Sequence, residues 1–187
     1  DLPVDFIADD SITGDILNYY GNFPCKIKAG VFVLCTEGMV RATINLLEIV
    51  IRKNDFIVVL PNSFIQIHEV SSDTRISFAG FSSDFMLSGN YVEILLDFMP
   101  MILNSPVISL QEDVAGLYRN VYLLLIRAYT LPHSLENKEI IRSVLAIFLQ
   151  GTKELYKRYG KKLDEPLRRE QELYRQFIQL LMAHYTK

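Results

Sequence analysis

Two periods of apolar residues divide the chain. Up to Phe81 the apolar positions come in short runs of alternating or continuous character, and from Gln111 onward they recur at helical spacing. In the first half the runs are KIKAGVFVLC (26–35), MVRATI (39–44), EIVI (48–51), FIVVL (56–60), FIQIHEV (64–70) and RISFAGF (75–81). They are rich in β-branched and aromatic residues and are parted by turns of Gly, Pro, Asn, Asp and Ser. Short strands at such regular spacing predict an antiparallel sandwich or barrel. ILNYY (16–20) suits an additional early strand, and residues 1–15 read as an arm before it. AGVFVLC, FIVVL and RISFAGF are apolar on both alternating faces, which suits a barrel filled by its own side chains.

The second half predicts helices. From Gln111 to Tyr129, Val114, Leu117, Tyr118, Val121, Leu124, Leu125 and Ala128 fall on helical spacing. LPHSLEN (131–137) interrupts the pattern. A second helix over 138–159 carries Ile141, Val144, Leu145, Phe148, Leu155 and Tyr159 on one side, with Gly160 as its cap. A shorter helix near 91–103 links this pair to the strands. GKKLDEP (160–166) is a linker, and RREQELYRQFIQLLMAHYTK (168–187) is a final amphipathic helix with Leu173, Phe177, Leu180 and Leu181 on one face. The fold class is therefore α+β: an arm (1–15), a small antiparallel barrel (16–86), a helical region (87–160), and a linker with a last helix (161–187).

Two long antiparallel helices with wide apolar faces cannot both be covered by one small barrel, so a homodimer is expected. Its interface candidates are Tyr118, Val121, Tyr122, Leu125 and Tyr129 on the first helix and Leu145 and Phe148 on the second. For the tyrosines, packing inside the monomer is the alternative.

Composition narrows the class. Of 187 residues, half are apolar and 22% charged, which is enough for a packed core and argues against disorder. No apolar run approaches the ~18–20 residues of a membrane span, and the sequence, which begins at Asp1, shows no basic start followed by an apolar signal-peptide core. The net charge of −3 divides into −7 over residues 1–110 and +4 over 111–187, two unlike halves, with the second read as solvated Lys and Arg. Cys25 and Cys35 read as free thiols of a cytoplasmic protein.

One spacing carries chemistry. In DFIVVLPNSFIQIH, Asp55, Pro61, Ser63 and Gln66 are spaced as in the cupin pattern of Gly, five residues, Pro, one residue, Gly, two residues, His. The stretch resembles that family, which implies a small barrel whose last position supplies a metal-binding imidazole. Here Gln66 occupies that position, both glycines are replaced, and the family's earlier pair of histidines with a glutamate is missing from 26–50. A metal needs three or four donors at about 2.0–2.3 Å, and the barrel half offers only His68. No metal or other cofactor and no catalytic residue is expected: Ser63, Ser82 and Ser83 lack a nucleophile-elbow setting, and there is no Gly-rich phosphate loop. His133 and His184 read as ordinary polar residues.

Gln66 and His68 share one face of their strand. The cupin register turns them inward; the alternation with Ile65 and Ile67 turns them outward. On the inward reading, Arg41, Thr43, Gln66 and His68, with Phe32 and Phe78 as apolar walls, hold a small-molecule effector.

The whole order of elements resembles the N-terminal sensing region of AraC-family transcriptional regulators, Bacteroidetes-type members in particular. The resemblance is carried by GMVRATINLLEIVIRKNDFIVVLPNSFIQI (38–67), FSSDFM (81–86), ENKEIIRSVLAIFLQGTKELYKRY (136–159) and LYRQFIQLLMAHY (173–185). It implies a cupin-like barrel that binds an effector, helices that dimerise, and DNA contacts made only by a separate C-terminal helix-turn-helix domain. LYRQFIQLLMAHY looks like the opening of that domain, so the chain reads as a sensing and dimerisation part cut before it. The arm would be a lid over the barrel mouth, with Phe6 and Ile7 as its apolar contacts. A dimerisation module with a filled barrel is the alternative, and a metal-dependent cupin enzyme a more distant one.

Overall fold

The computed structural model describes residues 4–21, 23–87, 91–130 and 138–159, and within the final segment Arg169, Leu173, Gln176 and Leu180, all four helical. The expected linker and the rest of the last helix lie outside the described residues, as do His133 and His184.

Strand β1 (Phe6–Thr13) is followed by helix α1 (Gly14–Gly21), then β2 (Cys25–Ile27), β3 (Gly30–Glu37), β4 (Met39–Ile44), β5 (Leu47–Arg52), β6 (Asp55–Val59), β7 (Ser63–Val70) and β8 (Arg75–Phe81). Next come α2 (Ser83–Leu87), α3 (Tyr91–Asn104), β9 (Val107–Ser109), α4 (Glu112–Thr130) and α5 (Lys138–Tyr159). The strands form a five-stranded sheet, β1-β8-β3-β6-β9, and a four-stranded sheet, β2-β7-β4-β5. Every pairing is antiparallel. The result is the expected α+β class, with two antiparallel sheets that do not close into a full barrel.

Two cores explain the strands that are apolar on both sides. Between the sheets lies an aliphatic cluster that includes Cys35, Val40, Ala42, Ile44, Ile49, Ile51, Ile57, Val59 and Ile76. The opposite face of the five-stranded sheet presents Phe32, Leu34, Phe56, Val58, Ala79 and Phe81 to the helices. α3, α4 and α5 cover it with Phe98, Ile102, Tyr118, Tyr122, Leu125, Leu145 and Phe148. β6, between β3 and β9, is buried at all five positions.

Three expectations are corrected here. Residues 6–13 are a sheet strand and not a lid: β1 pairs with β8 from Phe6↔Phe81 to Thr13↔Arg75, and the Phe6 ring stacks on Phe81 at 6.3 Å between centroids. ILNYY belongs to helix α1, whose Leu17 packs against the inter-sheet core. The dimer candidates Tyr118, Tyr122, Leu125, Leu145 and Phe148 are buried within the chain, and half-buried Val121 packs against them. The sheet takes the stripe that was assigned to a second copy. The Tyr129 side chain lies outside the described ones. Among the described residues, the large apolar side chains exposed on α4 and α5 are Leu117, Leu123, Leu124, Ile140, Ile147 and Tyr159, the last of which was expected on the buried side.

Phe148 is at the centre of the helix layer, with ring centroids 5.2 Å from Phe32, 6.4 Å from Phe81, 6.0 Å from Tyr118 and 5.2 Å from Tyr122. Phe148→Ala should destabilise the chain by about 3–5 kcal/mol in urea unfolding. A second prediction concerns the β4–β5 hairpin, where Asn45 and Leu46 both have positive φ, 48° and 72°. This is the backbone of a two-residue type I′ turn, in which the second position favours glycine. Leu46 is 75% exposed and makes up for nothing by burial. Leu46→Gly should raise stability by about 0.5–1 kcal/mol in the same assay.

Candidate ligand site

The polar residues singled out in the strands do come together, on the outside of the four-stranded sheet. β4 and β7 pair Thr43↔Gln66 and Ala42↔Ile67, then Arg41↔Glu69, so His68 is the extra residue of a β-bulge. The bulge brings His68 Nε2 within 2.7 Å of Thr43 Oγ1. Arg41 Nε donates to Glu69 Oε2 at 3.3 Å in an exposed ion pair. Ala42, Ile44, Ile65 and Ile67 take the inward positions. The inward orientation implied by the cupin spacing is therefore overturned for Arg41, Thr43, Gln66 and His68: the isoleucines fill the interior. Phe32 and Phe78 are also separated. Phe32 faces the helices, while Phe78 packs with the inter-sheet cluster. The six residues do not line one pocket.

The other positions of that spacing have structural duties. Asp55 is buried, accepting the Arg52 amide at 2.7 Å and the Ser109 hydroxyl at 2.6 Å, so it fixes the β5–β6 turn and ties β9 to it. Among the described residues, no three His, Cys, Asp or Glu side chains meet in a way that could hold a metal ion. No helix among them is long and apolar enough to cross a membrane.

A cavity of about 10 Å³ lies where the two cores meet. That is room for about one water. Ile44 and Asn45 of the first hairpin, Val58, Leu60 and Ser63 around the β6–β7 turn, and Ile102, Leu103 and Pro106 at the end of α3 line it. Its polar groups are preorganised. Asn45 sits in the left-handed region, which asparagine tolerates well. Its Nδ2 donates to Ser63 Oγ at 3.0 Å, and its Oδ1 accepts the Phe64 amide at 2.8 Å. The wall is otherwise apolar and suits an apolar guest with one polar group. Asn45 and Ser63 were visible in the sequence only as an alternating strand residue and a replaced glycine. The six apolar lining residues carry no spacing signature that could have marked them.

A polar cluster joins the barrel to α4. Asn54, at positive φ in the β5–β6 turn, donates to Glu112 Oε2 at 2.6 Å and accepts from Arg119 Nη2 at 2.9 Å. Arg119 also reaches Glu112 Oε1 at 3.2 Å. The Asn54 hydrogen bond, then that of Arg119, holds the Glu112 carboxyl below its usual range.

No family model matches the chain, and no curated protein matches it. Among solved structures it is similar to ToxT from Vibrio cholerae, at 13% identity over 90% of this chain and 63% of that one, with a TM-score of 0.45. It is similar to the AraC-like transcriptional activator CuxR at 12% identity over 82% of this chain and 51% of that one, again with a TM-score of 0.45. A putative ethanolamine utilisation protein from Salmonella typhimurium matches 42% of this chain and 55% of its own, at 13% identity and a TM-score of 0.29. The chain spans less than two thirds of the length of each of these proteins.

The two thiols differ sharply. Cys25 is exposed and Cys35 buried. Burial first, and the nearby Asp55 carboxylate second, push the Cys35 thiol from 9.0 up to about 11. In the folded chain at pH 8 a thiol reagent should therefore modify Cys25 alone, with Cys35 reacting only on unfolding. A folded pKa raised above the unfolded one stabilises fully below the unfolded value and is lost as pH rises through the folded one. Unfolding scans should show stability falling between about pH 9 and 11, and Cys35→Ala should reduce that fall.

Proposed function

We propose that this chain is the effector-sensing part of an AraC-type transcriptional regulator, and that the cavity at the end of the barrel is its effector site. The sequence resemblance implies a sensor, and one observation carries the assignment of the site: the cavity is walled by both sheets and by α3 at once. At about 10 Å³ it admits only about a water, so a larger guest enters by displacing α3. Binding and movement of the helix layer are then the same event. An effector shifts the balance between two arrangements only by its differential affinity for them, and a guest that needs α3 displaced has such a preference built in. The Asn54–Glu112–Arg119 cluster gives the barrel a second hold on the helices. The effector is expected to be small and mainly apolar, with one group that hydrogen-bonds Asn45 or Ser63. DNA would be contacted only by a C-terminal domain outside this chain.

Self-association belongs to the same proposal, through residues other than those first assigned. Leu117 and Leu124 of α4 and Ile140 and Ile147 of α5 are exposed at seven-residue spacing, the repeat of a helix–helix seam. A reading as a dimerisation module alone is favoured by the aliphatic filling between the sheets.

A thermal-shift screen of small apolar molecules tests the sensor. Near 100 times its Kd a true ligand stabilises by about 2.7 kcal/mol, or roughly 5–10 °C at this chain length. Val58→Phe, which fills the cavity, should abolish the shift; a shift that survives it places the ligand elsewhere. Sedimentation of Leu117→Glu/Leu124→Glu tests the seam, with a change from dimer to monomer expected.

A further inference from the structure

Three hydroxyl-bearing side chains meet in the helix-side core. Tyr118 and Tyr122 come from α4, four residues apart and so on one face, and Thr152 comes from α5. They are 7%, 1% and 0% exposed. The Tyr118 and Thr152 hydroxyls lie close to each other, yet none of the three hydroxyl oxygens makes a well-formed hydrogen bond. Phe148 packs edge-on against both tyrosine rings. Gly151 keeps the backbone of α5 clear, because a Cβ there would lie 2.5 Å from the Tyr118 oxygen.

Burying a hydroxyl with no partner is strongly unfavourable. Three such groups at one spot would remove a large share of the net stability of an ordinary domain. Phenylalanine would fill the same space without that penalty, as Phe32, Phe56 and Phe148 do alongside. Valine would replace Thr152 equally well. The hydroxyls are therefore best understood as having something to bind. Arg119, next to Tyr118 in sequence, turns its Nη2 to Asn54 and Glu112, and Arg142 lies over the Phe85 ring. The three side chains themselves offer hydroxyl donors and acceptors and carry no charge.

We propose that the hydroxyls of Tyr118, Tyr122 and Thr152 form a binding site between α4 and α5 for a small neutral hydrogen-bonding molecule, either water or a compact alcohol. Each hydroxyl donates one hydrogen bond and accepts up to two. A guest carrying an O–H group satisfies all three at once, with the roughly three bonds usual for a buried guest of this kind. The site shares no residue with the cavity at the barrel end and does not depend on the chain being a sensor. It lies where α4 and α5 touch, so its occupancy fixes their spacing.

Hydroxyl deletion tests it in the whole chain. In thermal unfolding, Tyr122→Phe and Thr152→Val should each lower Tm by about 2–4 °C, and the double variant should lose less than the sum, because both bind one guest. Removing a dry hydroxyl does the reverse, so a Tm equal to or above wild type in both single variants overturns the proposal. Titration with 2-propanol separates the two sources of the guest. A saturable rise in Tm that Tyr122→Phe abolishes identifies an alcohol. Destabilised variants without such a rise identify water.

Discussion

The five-stranded sheet is apolar on both faces, and the rest of the structure follows from that. An antiparallel sheet usually leaves one face to water. Here Phe32, Phe56 and Phe81 point away from the barrel core, and only a layer of helices can keep them dry. Large rings in edge and offset contact add to the burial of their area, which makes the Phe148 cluster the strongest single join between the two halves of the chain. Barrel and helices are consequently one folding unit, although their sequence periods and their net charges differ.

That join decides how a change at one place can reach another. α3 walls the cavity with Ile102 and Leu103 and packs against α5, which carries Phe148 into the sheet. α4 is held twice, by its tyrosine rings on the aromatic face and by Glu112 and Arg119 at the Asn54 turn. A displacement of α3 thus meets a layer whose other members are fixed to the sheet at separate points. The outward residues Leu117, Leu124 and Ile147 ride on those same helices.

The strand pattern was legible because alternation and turn residues are local signals, and five of the six runs are single strands where the sequence puts them; KIKAGVFVLC is instead broken after Ile27 into β2 and β3, which belong to different sheets. The both-faced character of AGVFVLC, FIVVL and RISFAGF was legible too, but its cause was not: the second face covers helices as well as the barrel interior. The same ambiguity misled the reading of Tyr118, Tyr122, Leu125, Leu145 and Phe148, since an apolar helical stripe states that it is buried and not against what. FIADDSIT carries two acidic residues and a bulge between Asp9 and Ile12, so β1 lacks the alternation that marks a strand. At His68 one extra residue reorders the pairing, and spacing counted along the chain cannot see it. The cavity was invisible because ordinary isoleucine, leucine, valine and proline line it.

The two cores differ in a way that bears on where change can happen. Between the sheets the side chains are mostly valine, isoleucine and alanine. β-branched residues have few rotamers, so this core is stiff and has little freedom to open. The helix-side core contains Met86, Met99, leucines and aromatic rings, and methionine in particular can repack around an inserted group. The cavity lies on the boundary, with Ile44 from the stiff core on one side and Ile102 with Val58 from the adaptable one on the other. A guest pressing on both would find the sheets unyielding and α3 able to move. On the proposed sensor reading, the asymmetry would give ligand entry a direction, outward through the helix layer, which is also the layer that exposes Leu117, Leu124, Ile140 and Ile147.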